Sequence, residues 1–339
     1  MQLQLLQPLH DGRPLLPPLL VTISPPSIPA RPALAPWCRV VEDDDRVLVE
    51  HGGTLVTLEG RAAGSLLPAL LPLLDGTRTV DDVGAAVGER ARPAVDRALE
   101  LLAHHRLLVD GPIADGGDAD ASSAASYAAS VTRRISPAGA VAALAGASVA
   151  VVGSGRQADE VARQLRLAGI GRVERPPGTA VERPHLVIAA PPPDDMALLP
   201  EVNRACLAEG RAWLQLLPYD GRLIVVGPLF LPGSSACGTC FALRRAACSG
   251  YEDDVALLEP LPLRARAPTP LLAVAAGLAA TVAVRWLTAG DPSLPGHLYI
   301  VEGGHPLGVS SHRVLRVPRC PDCGPFEQAV PAPWFAETA

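Results

Sequence analysis

Two cysteine pairs carry the clearest chemistry in this chain: Cys237-Gly-Thr-Cys240 and Cys320-Pro-Asp-Cys323. Two CxxC turns offer four thiolates, the ligand set of a tetrahedral zinc site. Each turn is tight enough for both sulfurs to face one ion. Residues 241–319 separate the pairs, more than a zinc ribbon spans, so the expected site is a long-range staple. With sulfur at every position it has no open place for water or substrate, which favours a structural ion over a catalytic one. The competing assignment is redox or unrelated cysteines. The total of seven cysteines is odd and does not suit a disulfide framework. Cys206 and Cys248 read as small buried hydrophobes.

The second candidate is Gly153-Ser-Gly155-Arg-Gln-Ala158, between the apolar run Ala147–Val152 and a helical stretch, Arg156–Ala168. Strand, glycine turn and helix form the setting in which dinucleotide or ATP phosphates bind. An acidic residue should then close the next strand and hold ribose hydroxyls. Residues 171–177 offer only Glu174 before two prolines. The turn is either an inherited fold element or a working nucleotide site with Gly153 and Gly155 as its contacts.

These residues need a frame, and composition bounds it. The 339 residues are 48% hydrophobic and 19% charged, enough for two or three domains with sizeable cores. Aromatics are only 4%, so Ala, Leu and Val must do most of the packing. A net charge of −6 argues against nucleic-acid binding through the overall field. All 29 basic residues are arginine, as a GC-rich coding bias would leave them. Without lysine there is no Walker-type lysine and no protein Schiff base. The proline-broken N-terminus does not read as a signal peptide. Pro270–Val284 is apolar, but Arg285 ends the run too soon for a membrane span, so a buried core helix and a cytoplasmic protein are expected.

Along the chain, residues 1–36 are a proline-rich arm and 37–110 a small winged-helix-like βββααα module. Within the module, residues 39–42, 46–50 and 54–58 are β-prone, with turns at Asp43–Asp45 and His51–Gly53. Helices are expected over residues 61–74, from Thr79 to about Val87 behind an acidic capping box, and over 93–104. Residues 111–140 are a linker, with a short helix around 126–134. Residues 141–326 alternate apolar strands and helices, the pattern of a mostly parallel Rossmann-type α/β sheet. Residues 327–339 are a tail. The βββααα module is either simply a small folded domain or a peptide-docking groove at a sheet edge.

The order of these motifs resembles the ThiF-type, ubiquitin-activating-enzyme-like superfamily across Val149–Arg245. The glycine turn is followed by Leu186–Ala190, Val202-Asn-Arg-Ala-Cys206, Leu223–Pro228 and Cys237–Cys240, and Arg319–Gly324 resembles that superfamily's second zinc pair. Gly227–Cys237 is similar to one branch, the ThiF-like partner proteins of azoline-forming cyclodehydratases in ribosomal-peptide biosynthesis. Leu73–Val80 resembles the phrase between the first two helices of the PqqD-like recognition element of that branch. The resemblance implies zinc on Cys237, Cys240, Cys320 and Cys323. It implies a leader peptide docked as a strand beside Thr54, Leu55, Val56, Thr57 and Leu58, in a groove walled by the helix Pro93–His104, with Leu55, Thr57, Ala98 and Leu102 as its contacts. It also implies a YcaO-type partner that consumes ATP to make thiazolines or oxazolines for an azole peptide, thiopeptide or bacteriocin, and a possible homodimer. Active ThiF-type enzymes adenylate a peptide C-terminus with acidic, arginine and lysine residues. Here Ala189-Ala190-Pro191 stands where they place an aspartate, and no lysine is present. A non-catalytic subunit without its own ATP is therefore expected, with no nucleic-acid or membrane partner. The alternative is an ATP-dependent adenylating enzyme acting on a peptide or sulfur-carrier C-terminus. A nicotinamide oxidoreductase is disfavoured by the missing acidic strand end.

Overall fold

A computed structural model describes residues 27–112, 119–132, 134–178, 183–250, 254, 257–258 and 261–324. The expected tail and most of the N-terminal arm lie outside them. The chain divides into two compact units, Met1–Val141 and Ala142–Ala339.

In the first unit β2 (Arg39–Asp43), β3 (Arg46–His51) and β4 (Thr54–Glu59) form an antiparallel sheet in that order. Both hairpins close on two residues, because Asp43 faces Arg46 and His51 faces Thr54. Such turns need positive φ, which Asp44 supplies at 50° and Gly52 and Gly53 at 55° and 81°. Helix α1 (Arg61–Leu70) packs on all three strands. Its close approach depends on Gly64, where a Cβ would lie 2.8 Å from the Asp44 carbonyl oxygen. The helix expected to reach residue 74 stops at Leu70 and passes into a 3-10 turn, Leu71–Leu73, around Pro72. The capping box is present: the Thr79 hydroxyl accepts from Asp82 N at 3.2 Å, and the Asp82 carboxylate accepts from Thr79 N at 3.0 Å. It opens α2 (Val80–Val87), and α3 (Arg92–His104) follows, packed on α1 and α2. Val95, Leu99 and Leu102 fall on one face of α3 and meet Val47, Val49, Val56 and Leu58 in a single core.

Two boundaries differ from expectation. Pro32–Leu34 is a strand, β1, paired antiparallel with β5 (Leu108–Asp110), so the supposed arm contributes to the first unit. Helix α4 (Ala119–Thr132) begins inside the expected linker. Its alanines favour helix over the glycine-rich run before it. Helix α5 (Pro137–Gly146) follows.

The second unit is built on seven strands. They are β6 (Ser148–Val152), β7 (Arg172–Glu174), β8 (Leu186–Ala189), β9 (Trp213–Leu216), β10 (Leu223–Phe230), β11 (His297–Glu302) and β12 (Gly308–Arg313). Their order is β12-β11-β10-β9-β8-β6-β7. β6, β7, β8 and β9 are mutually parallel, and β10, β11 and β12 are joined by antiparallel pairings. Only β10 and β12 therefore run against the rest, and the sheet is mostly parallel. Strands β8 and β9 are buried along their whole length, which is why they read as continuous apolar runs. Among the described residues, the helices that follow β6 are α6 (Gly155–Leu167), α7 (Leu198–Glu209), α8 (Gly238–Ala247) and α9 (Thr269–Ala289). Arg285 does not end the last one: it continues to Ala289 and caps on Gly290 at φ 53°. By length and composition α9 could cross a membrane, yet 56% of its apolar window is buried in the unit. It packs on α6, β9, β10 and β11, as a core helix does.

Leu99 is fully buried at the centre of the first unit. Leu99→Ala should cost about 2–5 kcal/mol, read as a lower urea midpoint for that unit.

Candidate metal centre and the glycine turn

Strand β10 ends at Phe230, and a short loop delivers Cys237 as the N-cap of α8. Cys240 sits in the first helical turn. Cys320 and Cys323 arrive from the segment after β12. The four sulfurs lie within 4.8 Å of one another. Cys237 Sγ is 3.8 Å from Cys240 Sγ and 3.6 Å from Cys320 Sγ, and Cys240 and Cys323 sulfurs are 3.6 Å apart. A tetrahedron of sulfurs around zinc, with bonds of about 2.3 Å, has edges of about 3.8 Å. The donor set fits one such ion.

Amide donors and burial act on these thiols in opposite directions. The N-terminus of α8 directs its dipole at Cys237 and Cys240. Cys240 N donates to Cys237 Sγ at 3.5 Å and Val317 N to Cys240 Sγ at 3.3 Å. Burial opposes ionisation at Cys320, yet amide donors from Cys323 and Asp322 bring that thiol below its ordinary range. Burial pushes the Cys237 and Cys323 thiols up. Four thiolates this close, three of them buried, would repel one another, so a cation among them is the arrangement that satisfies the charge. Arg316 donates to the Gly233 and Cys323 carbonyl oxygens at 3.1 and 3.2 Å, tying the two arms of the site.

Of the remaining cysteines, Cys206 is buried in α7 and its thiol is pushed up to about 12, mainly by burial. Cys248 corrects the expectation: it is exposed, because it sits at the C-cap of α8, beyond the packed turn.

The glycine turn joins β6 to α6 as expected. Gly153 has φ 123°, and a Cβ there would lie 2.0 Å from the Ala190 carbonyl oxygen. Gly155 has φ 76°. Glu174, the candidate ribose acid, is instead ion-paired with Arg172 on its own strand. Arg175 follows β7, donates to the Gly153 carbonyl oxygen at 3.1 Å and pairs with Asp159 of α6. A guanidinium thus faces the turn where a carboxylate was sought.

In the first unit, β4 is an edge strand of its sheet. Leu55 is 38% exposed, while Thr54, Thr57 and Ala98 are half-buried. Val56 and Leu58 are each 2% exposed and Leu102 is 1% exposed. Strand alternation and the inward face of α3 put those three in the core, Leu102 against the expectation that it lines the groove.

No known family profile and no curated protein matches the chain. Solved structures do. A heterocyclase in complex with substrate and cofactor aligns with a TM-score of 0.66 at 24% identity, covering 86% of this chain and 39% of that one. The heterocyclase TruD gives 0.65 at 23% identity, covering 87% and 43%. The E. coli microcin C7 biosynthetic enzyme MccB, in complex with N-formylated MccA, gives 0.60 at 15% identity, covering 86% and 99%. At these identities the likeness is one of fold. The chain spans about two-fifths of the length of the heterocyclases it matches.

Zinc near one equivalent per chain is expected by elemental analysis of protein prepared without chelators. Departing zinc leaves thiolates that take up protons, so retention should fall as pH falls. An acid titration with a zinc-sensitive dye measures it, and release insensitive to acid would contradict thiolate ligation. At the turn, Gly153→Ala should cost at least about 2 kcal/mol, by strain at positive φ together with the clash on Ala190. A shifted chemical-denaturation midpoint reports it.

Proposed function

We propose that this chain is a leader-binding scaffold subunit that delivers a ribosomal precursor peptide to a YcaO-type cyclodehydratase. That partner consumes ATP and forms thiazolines or oxazolines, as in azole-peptide or thiopeptide biosynthesis. The observation that carries the reading is the fold shared with two heterocyclases over 86% and 87% of this chain. Under this reading the cyclodehydratase chemistry resides outside these residues.

The first unit takes the part of the PqqD-like, winged-helix-like recognition element. A leader strand adds to the free edge of β4 through its main chain. Thr54, Leu55 and Thr57 offer accessible side chains there and Ala98 a partly accessible one. Val56, Leu58 and Leu102 hold the strand from beneath. The second unit holds the partner and raises the effective concentration of the precursor's Cys, Ser or Thr residues at the partner's active site. Zinc is structural, fastening the segment after β12 to the start of α8. A homodimer fits this reading.

A second reading draws on the fold shared with MccB over nearly all of that chain. It makes the protein an ATP-dependent adenylating enzyme acting on a peptide or carrier C-terminus, with Gly153 and Gly155 at the nucleotide. Arg175 on the turn, Ala189 and Ala190 at the strand end and the lack of lysine all weigh against it.

Titrating the whole chain with labelled leader should give saturable binding that Leu55→Arg weakens roughly tenfold or more, about 1.4 kcal/mol, with zinc content unchanged. Leader binding untouched by that substitution removes the β4 edge from the proposal. Pyrophosphate release by this chain alone, with a precursor peptide, would establish the adenylating reading; release or phosphate formation only when a YcaO-type protein is added supports the scaffold.

A further inference from the structure

Asn203 is a buried polar residue on α7, 1% exposed, and carries no ligand sulfur. Its amide nevertheless touches both cysteine turns. The Oδ1 atom accepts from Gly238 N at 2.8 Å, inside Cys237-Gly-Thr-Cys240. The Nδ2 atom donates to Asp322 Oδ2 at 2.9 Å, inside Cys320-Pro-Asp-Cys323, and reaches Thr239 Oγ1 at 3.4 Å. The Thr239 hydroxyl donates to the same Asp322 oxygen, closing a three-residue ring between the turns. Gly238 allows this approach: a Cβ there would lie 3.0 Å from Asn203 Oδ1 and 3.1 Å from Trp213 Cζ2.

Only an amide satisfies both sides. One face must accept from a backbone N–H, and the other must donate to a carboxylate. An aspartate of the same shape would keep the first bond and set a buried carboxylate against that of Asp322 at hydrogen-bond distance. We propose that Asn203 is the positioning residue that holds the two cysteine turns in register around their metal ion. It thereby slows release of the ion. The inference rests on the four cysteines holding zinc, and it adds a second layer to that site: groups that orient ligands tune metal affinity although they never touch the metal.

The test uses the full chain, loaded with zinc, and follows release to excess chelator with a colorimetric dye. Asn203→Asp should release zinc roughly ten- to a hundredfold faster than the unchanged protein. Combining it with Asp322→Asn exchanges donor and acceptor and should restore most of the slow release. A thermal melt of each loaded protein is recorded beside it. A lower melting temperature with an unchanged release rate would mean that Asn203 only anchors α7, and the proposal fails. It also fails if the double variant releases zinc as fast as Asn203→Asp. Should Asn203→Asp not fold, Thr239→Val removes one hydroxyl of the ring and should accelerate release several-fold; an unchanged rate overturns the proposal. Absence of zinc from the unchanged protein would remove the metal assignment itself, whereas zinc present with equal release rates removes only the role of Asn203.

Discussion

Four sulfurs gathered within a few ångströms impose the constraint on which the second unit is organised. Thiolates so close repel, and buried thiols would leave the surrounding amide donors poorly used. One cation satisfies all four. The strands that bring them there are far apart in the chain: β10 leads to Cys237, and Cys320 follows β12. An ion held there would tie the start of α8 to the segment beyond the last strand. Asn203 extends the tie to α7, whose N-terminus follows the loop at the carboxyl end of β8. The antiparallel part of the sheet and one covering helix are thus held through a single small cluster.

The glycine turn separates geometry from ligand. Gly153 is required whether or not a nucleotide binds, because the Ala190 carbonyl oxygen occupies the space of its Cβ. A GxGxxA pattern can therefore persist for packing alone. What decides binding is the charge around the turn, and there Arg175 pairs with Asp159 and takes the Gly153 carbonyl oxygen. The frame of a phosphate-binding fold is kept, while the polar groups that would recognise a ribose are turned to one another.

The first unit shows a different economy. With few aromatics, its core is made of Val and Leu from one sheet face and three helices. Burying that face leaves β4 with its main chain at the edge and Leu55 outward. Edge strands are ordinarily protected against pairing. Glu59 is exposed at its end, but Leu55 and Thr57 leave its middle without a charge, a strand that can accept another.

The sequence by itself determined the elements that local chemistry controls. The two CxxC pairs were legible as one site because spacing and residue type suffice for a tight turn of two thiolates. The Thr79–Asp82 cap, the existence of the two hairpins and the apolar strands β6, β8 and β9 were legible because their causes lie within a few residues. Other features were decided only when distant segments met. The pairing of Pro32–Leu34 with Leu108–Asp110 was one, since a proline-rich stretch has no period of its own. Arg175 was another: its partners at Gly153 and Asp159 lie 22 and 16 residues away. Asn203 is the plainest case. It sits 119 residues from Asp322, and nothing local distinguishes it from any helical asparagine. A hydrogen bond carries no signal along the chain when its partners are brought together by the closing of a sheet, so its meaning existed only in the folded protein.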